Sequence, residues 1–129
     1  MQSNFQRLGI INRGEAAMRL IHAAREFNHQ YGTQIRTIAL YTDPDLNARY
    51  VREADEAWGL GSALFIDPRD GQSKSRYVDY KRLEQVLVDA QIEAVWAGWG
   101  FVAEHAEFAD LCDRLGRQHS GAPRRDIDH

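Results

Sequence analysis

The stretch Ile10-Ile11-Asn12-Arg13-Gly14-Glu15-Ala16-Ala17-Met18-Arg19-Leu20-Ile21 changes its periodicity in the middle. Residues 7–11 form a short apolar run that suits a buried strand. Asn12-Arg13-Gly14-Glu15 breaks the run. Beyond it Ala17, Leu20, Ile21 and Ala24 recur at i, i+3, i+4 and i+7, the spacing of one helix face. Strand, polar turn and amphipathic helix together are the repeating unit of an α/β fold.

The alternation continues outward. Residues 35–41, rich in β-branched and aromatic side chains, read as a second strand. Thr42-Asp43-Pro44-Asp45 is turn chemistry, with Asp43 expected as a cap before the proline. Leu46, Tyr50, Val51 and Ala54 suit a short helix, and residues 57–60 a brief strand. Residues 61–75, with their Gly, Pro, Ser and charged side chains, predict a surface loop. Leu83, Val86, Leu87 and Ala90 repeat the helical template, and residues 92–97 read as a strand bounded by Gly98-Trp99-Gly100. Phe108, Leu111, Cys112 and Leu115 share one face of a last helix that stops at Gly116, and residues 118–120 suit one more short strand. The pattern predicts four or five mainly parallel strands with helices on both faces, and Ile10, Ile38, Leu40 and Val95 buried.

Composition bounds the function. The chain of 129 residues, 43% hydrophobic and 27% charged, matches a single globular domain. A net charge of −3 excludes a strongly basic nucleic-acid binder. No apolar run approaches the roughly 18 residues of a membrane span. Met1-Gln2-Ser3-Asn4 has neither the basic nor the apolar region of a secretory signal. One cysteine, Cys112, leaves no internal disulfide, and a reducing cytoplasmic setting is expected. Cys112 lies on an apolar helical stripe and reads as core. The five histidines show no metal-ligand spacing, so no metal site is expected.

In open α/β sheets, function gathers at the carboxyl ends of the strands. A dinucleotide fingerprint needs three glycines after the first strand, whereas here the turn holds only Gly14 and Gly9 sits within the strand. No Walker A loop occurs either. Nucleotide binding by these residues alone is therefore disfavoured. Arg13, at the head of the first helix, either binds an anion with the helix N-terminus or pairs with a nearby carboxylate; the pair is preferred. Glu15 is accounted for by the helix dipole. Gly98-Trp99-Gly100 either presents a flat ring to a ligand or makes a tight turn with Trp99 as a lid on the core. Adjacent Asp55 and Glu56 diverge in direction, so they do not act as an acid/base pair. Arg19, His22 and Glu26 fall at i, i+3 and i+7 opposite the apolar stripe and read as a solvated face.

Taken together, these loops resemble a known family. Residues 10–21 resemble the Ala-Asn-Arg-Gly-Glu-Ile-Ala opening of biotin carboxylases, the ATP-dependent part of acyl-CoA and pyruvate carboxylases. Tyr41-Thr42-Asp43-Pro44-Asp45 and Ala54-Asp55-Glu56-Ala57 are similar to its Tyr-Ser-Asp-x-Asp and Ala-Asp-Glu-Ala motifs. Trp96-Ala97-Gly98-Trp99-Gly100-Phe101-Val102-Ala103-Glu104 resembles its His-Pro-Gly-Tyr-Gly-Phe-Leu-Ser-Glu loop, and Ala106-Glu107-Phe108-Ala109 continues the match. The departures are Trp96-Ala97 for His-Pro, Trp99 for Tyr, Tyr50 where many members carry His, Ala103-Glu104-His105 for Ser-Glu-Asn, with the Ser cap lost, and Ala122 for Pro.

The resemblance implies a Rossmann-like, three-layer α/β domain with a mainly parallel sheet (a pre-ATP-grasp unit) over residues 5–121, and a polar tail at 122–129. It implies the N-terminal domain of a biotin-dependent carboxylase whose complete form uses ATP, Mg and bicarbonate to carboxylate biotin. The ATP-grasp residues of the family follow this region, so the 129 residues alone are expected to be inactive and to bind no cofactor. Arg13, Gly98, Trp99, Gly100, Phe101 and Glu104 would line the active-site wall, and no catalytic residue is assigned. Arg19, His22 and Glu26 correspond to family dimer positions, with His22 where Arg is usual, which implies a weak homodimer. Partners would be the remaining biotin carboxylase domains, the biotin carrier domain and the carboxyltransferase, with no nucleic acid and no membrane. The rival reading is a non-catalytic α/β module for protein association.

Overall fold

A computed structural model describes residues 5–97 and 106–120. Five strands, β1 (Arg7–Ile10), β2 (Arg36–Thr42), β3 (Glu56–Gly61), β6 (Ala94–Trp96) and β7 (Gln118–Ser120), form one sheet in the order β3-β2-β1-β6-β7. Every neighbouring pair runs parallel. Such pairs need long crossovers, and the helical stripes of the sequence supply them. The chain steps from β1 outward to β3, then returns to the other side of β1 to add β6 and β7. The strand order therefore reverses between β1 and β6.

Alternation along the strands sends neighbours to opposite faces. Ile10 and Ala39 face α1 (Gly14–Tyr31) and α2 (Arg49–Glu53), packing with Ala17, Met18, Ile21 and Tyr50. Ile11, Ile38, Leu40 and Val95 face α3 (Tyr80–Asp89) and α4 (Ala106–Arg114), packing with Leu83, Leu87, Leu111 and Cys112. Ile10, Ile38 and Leu40 are 0% exposed and Val95 2%, as the pattern requires. Gly9 is the strand residue that admits Ile92: a Cβ there would stand 3.0 Å from two carbons of that side chain. Any larger residue would force the Ile92 side chain to shift. α1 stops at Gly32, whose φ of 67° is the left-handed cap a side chain resists.

Three expectations differ from the structure. Residues 61–75 are not simply a loop: β4 (Leu64–Ile66) and β5 (Ser73–Ser75) pair antiparallel as a separate hairpin. Its tip is closed by the Asp67 carboxylate, which accepts from the Arg69 N–H at 2.9 Å and from Lys74 Nζ at 2.7 Å. The short strands carry too little periodicity to stand out from the Gly, Pro and Ser around them. Asp43 does not cap with its side chain; it opens a single 3-10 turn, Asp43–Asp45, and the buried acid is Asp45. Leu46 lies outside α2 and is 56% exposed.

Candidate functional site

The strand order reverses between β1 and β6, and α/β sheets place their ligands outside the carboxyl ends of the strands at such a point. Two loops meet there. The last ladder bond is Ile11 N–H to Trp96 O at 3.0 Å. One residue further on, Asn12 Nδ2 donates to Ala97 O at 2.9 Å, while Asn12 Oδ1 accepts the Arg13 N–H at 2.8 Å. The side chain thus extends the pairing of the two strands beyond the point where the backbones separate.

Arg13 caps α1 with its extended backbone, and its guanidinium crosses to the turn after β2. Nε donates to Asp45 Oδ2 at 2.7 Å and Nη2 to Oδ1 at 2.6 Å, a bidentate pair. Tyr50, from α2, donates its hydroxyl to Asp45 Oδ2 at 2.8 Å. Tyr77 donates to Leu40 O at 3.4 Å from the opposite helical layer. The Arg13 hydrogen bonds hold the Asp45 carboxyl below the usual carboxylate range, and Asp45 in turn raises the Arg13 pKa. Burial raises both tyrosines above the ordinary phenol value.

These shifts point to a brace. Asp45 stays ionised with both oxygens engaged, and both phenols stay protonated, so none is poised to exchange a proton near neutral pH. The preferred reading of Arg13, a carboxylate pair, is what the geometry shows. Asp55 and Glu56 do diverge: Asp55 accepts the Thr37 N–H at 2.8 Å, and Glu56 pairs with Arg7 at 2.8 Å. Cys112 is buried, and burial pushes its thiol up to about 11, so it is an unreactive core residue. Among the described residues, no group of three His, Cys, Asp or Glu side chains can hold a metal ion, and no helix is long and apolar enough to cross a membrane.

Arg19, His22 and Glu26 are all exposed along the outer face of α1. Gly98, Trp99, Gly100, Phe101 and Glu104 lie outside the described residues, as does the tail 122–129. Of the expected wall, the structure therefore describes only Arg13, and it adds Asn12, Asp45 and Tyr50, which sequence reasoning did not join to it. Their one signal is that a helix-head arginine and a turn acid both follow strands, at the same end of a parallel sheet.

Comparison with known proteins decides the family. The model of the biotin carboxylase N-terminal domain matches residues 4–127. The chain belongs to the biotin carboxylase N-terminal domain family. Its relatives include biotin carboxylase 1 of Bacillus subtilis, 36% identical over 110 residues, or 85% of this chain and 21% of that protein. The 2-oxoglutarate carboxylase small subunit of Hydrogenobacter thermophilus is 34% identical over 112 residues, 87% of this chain and 21% of the subunit. The crystal structure of the biotin carboxylase domain dimer from that carboxylase, in complex with MgADP, ADP and bicarbonate, superposes with a TM-score of 0.69 at 31% identity. The match covers 92% of this chain and 23% of that one. This biotin carboxylase N-terminal domain thus spans about a fifth of the length of these two curated relatives.

Proposed function

We propose that this domain forms one wall of the active-site cleft in a biotin-dependent carboxylase, an ATP-dependent ligase that carboxylates biotin with bicarbonate. The observation that carries the reading is the family match over residues 4–127, which takes in the whole five-stranded sheet. The described residues by themselves do not fit ATP or Mg. The turn after β1 holds one glycine, Arg13 is committed to Asp45, and no ligating cluster is present among them. Phosphoryl transfer needs a phosphate clamp and metal carboxylates. Those groups belong, on this reading, to the remaining biotin carboxylase domains.

The wall consists of Gly98, Trp99, Gly100 and Phe101 after β6, with Glu104 and Arg13 bracing it. The glycines permit close backbone approach, and the Trp99 ring offers an apolar contact to the biotin ring. The biotin carrier domain and the carboxyltransferase are the further partners, in the cytoplasm. A weak homodimer forms through Arg19, His22 and Glu26, and sedimentation of Arg19→Glu against wild type tests that face.

The primary experiment has two arms. The longer polypeptide that carries this domain is assayed for ATP- and bicarbonate-dependent carboxylation of biotin, with Trp99→Ala expected to raise the KM for biotin more than it lowers domain stability. Residues 1–129 alone are titrated with ATP by calorimetry, and no tight binding is expected. Micromolar ATP binding by the isolated chain, or a longer protein that leaves biotin uncarboxylated, overturns the proposal. An unchanged KM for biotin in Trp99→Ala with a lowered unfolding midpoint would instead make Trp99 a lid on the core.

A further inference from the structure

We infer that Arg76 guards the open edge of β4: its guanidinium blocks the strand from pairing with β4 of a second copy of this chain. The inference is independent of the proposed function, because the hairpin it concerns is separate from the five-stranded sheet.

The ladder of the β4–β5 hairpin shows which backbone groups point outward. Leu64, Phe65 and Ile66 stand opposite Ser75, Lys74 and Ser73. On either side of them the Arg76 N–H donates to Ala63 O at 2.7 Å and the Asp67 N–H to Gln72 O at 2.9 Å. Bonded residues alternate along an antiparallel pair, so Phe65 bonds inward to Lys74, while the N–H and C=O of Leu64 and Ile66 face away from β5. β4 carries neither a charge nor a proline, the devices that commonly protect such an edge. Its Leu64 and Ile66 side chains are 59% and 63% exposed. A cleft of about 650 Å³, lined among others by Phe65, Ile66, Arg76 and Lys81, opens between β4 and the start of α3.

This edge is self-complementary. Laid antiparallel about a two-fold axis through Phe65, two β4 strands set Leu64 of each copy opposite Ile66 of the other. Each such pair exchanges both backbone hydrogen bonds and gathers the exposed aliphatic side chains of both copies on one face. The second strand must then lie about 4.8 Å from the first. Arg76 already stands there. Its side chain runs past the Phe65 ring, with Cζ 5.5 Å from the centroid, and ends on the outward carbonyls. Nε donates to Ser62 O at 2.9 Å and Nη2 to Leu64 O at 3.3 Å. The third nitrogen, Nη1, donates to Asp79 Oδ2 at 2.9 Å. Asp79 is itself fixed as the N-cap of α3, where its Oδ1 accepts the Arg82 N–H at 3.2 Å. The Arg76 side chain is therefore anchored from the helix and only 17% exposed. It occupies the Leu64 acceptor that pairing needs and puts a cation in the path of the second strand.

The test is sedimentation velocity of the 129-residue chain over a concentration series, for wild type, Arg76→Ala and Asp79→Ser. The serine variant keeps a side-chain cap on α3 while releasing the guanidinium, and it covers the case in which alanine prevents folding. Either change is expected to lower the dissociation constant of self-association by about tenfold. Ile66→Lys added to each should return association to the wild-type level, because it sets a charge on the pairing face. Arg19→Glu added instead should leave the gain in place. No gain of association in the folded variants overturns the inference. So does a gain that Ile66→Lys leaves intact, which would place the contact away from β4, and so does a gain that Arg19→Glu abolishes, which would assign it to the outer face of α1.

Discussion

Asp45 and Asp67 are both nearly buried carboxylates, each held by more than one donor, yet they do different things in this fold. The Asp45 side chain is 9% exposed and that of Asp67 4%. Asp45 draws Arg13 from 32 residues away and Tyr50 from α2, so a single carboxylate ties a helix head, a turn and a second helix together. All the side-chain partners of Asp67 described here lie within seven residues of it, Arg69 two away and Lys74 seven away. Its task ends with closing the β4–β5 hairpin. Burial alone therefore does not tell how far the loss of a carboxylate would spread. Sequence separation of the partners does, because only non-local contacts couple elements that would otherwise open separately.

The sharpest way to break this contrast is Asp45→Ala. It leaves the Tyr50 hydroxyl without its acceptor in the core and frees Arg13, and should lower global stability by about 3 kcal/mol. The check is a urea midpoint that falls with an unchanged slope. A loss below about 1 kcal/mol would mean that water replaces the carboxylate and that Asp45 is as local as Asp67. Tyr50→Phe removes one neutral donor and keeps the ion pair, so about 1 kcal/mol is expected in the same measurement.

Acid titration sharpens the comparison further. Hydrogen bonds from Arg13 hold Asp45 below the ordinary carboxylate value, and those from Arg69 and then Lys74 do the same for Asp67. A depressed folded-state pKa gives stability that is present above the unfolded value and lost as pH falls through the folded one. The global stability difference between wild type and Asp45→Asn should therefore be constant near neutrality and narrow from about pH 5 downward. If it does not narrow, the carboxylate charge is not what stabilises the turn. The smallest global effect is expected for Asp67→Asn: tryptic cleavage after the exposed Arg69 should rise, while the urea midpoint hardly moves. A midpoint shift as large as that of Asp45→Ala would erase the distinction.

Much of the layer structure was legible because helix and strand periodicities belong to consecutive residues. The stripe Leu83, Val86, Leu87 and Ala90 is buried throughout, and Ile10, Ile38, Leu40 and Val95 are buried as their strands require. Within α1 the stripe was read almost correctly. Met18 takes a buried place, while Leu20 is only partly buried, because the groove between α1 and α2 decides the edge of an apolar face. The hairpin was not legible, since two three-residue strands separated by a turn carry less periodic signal than the glycines, proline and serines that surround them.

At the candidate site the division is sharper. From the order of residues alone come a helix-head arginine, a turn rich in acids, a glycine-flanked tryptophan and the family resemblance that joins them. Which acid meets Arg13, and which carbonyl meets Asn12, are contacts across 32 and 85 residues. They exist because β1 lies between β2 and β6 in the folded sheet. No local pattern encodes that neighbour relation; it emerges when all the apolar faces are buried together, and the polar partners at the strand ends are then chosen by proximity.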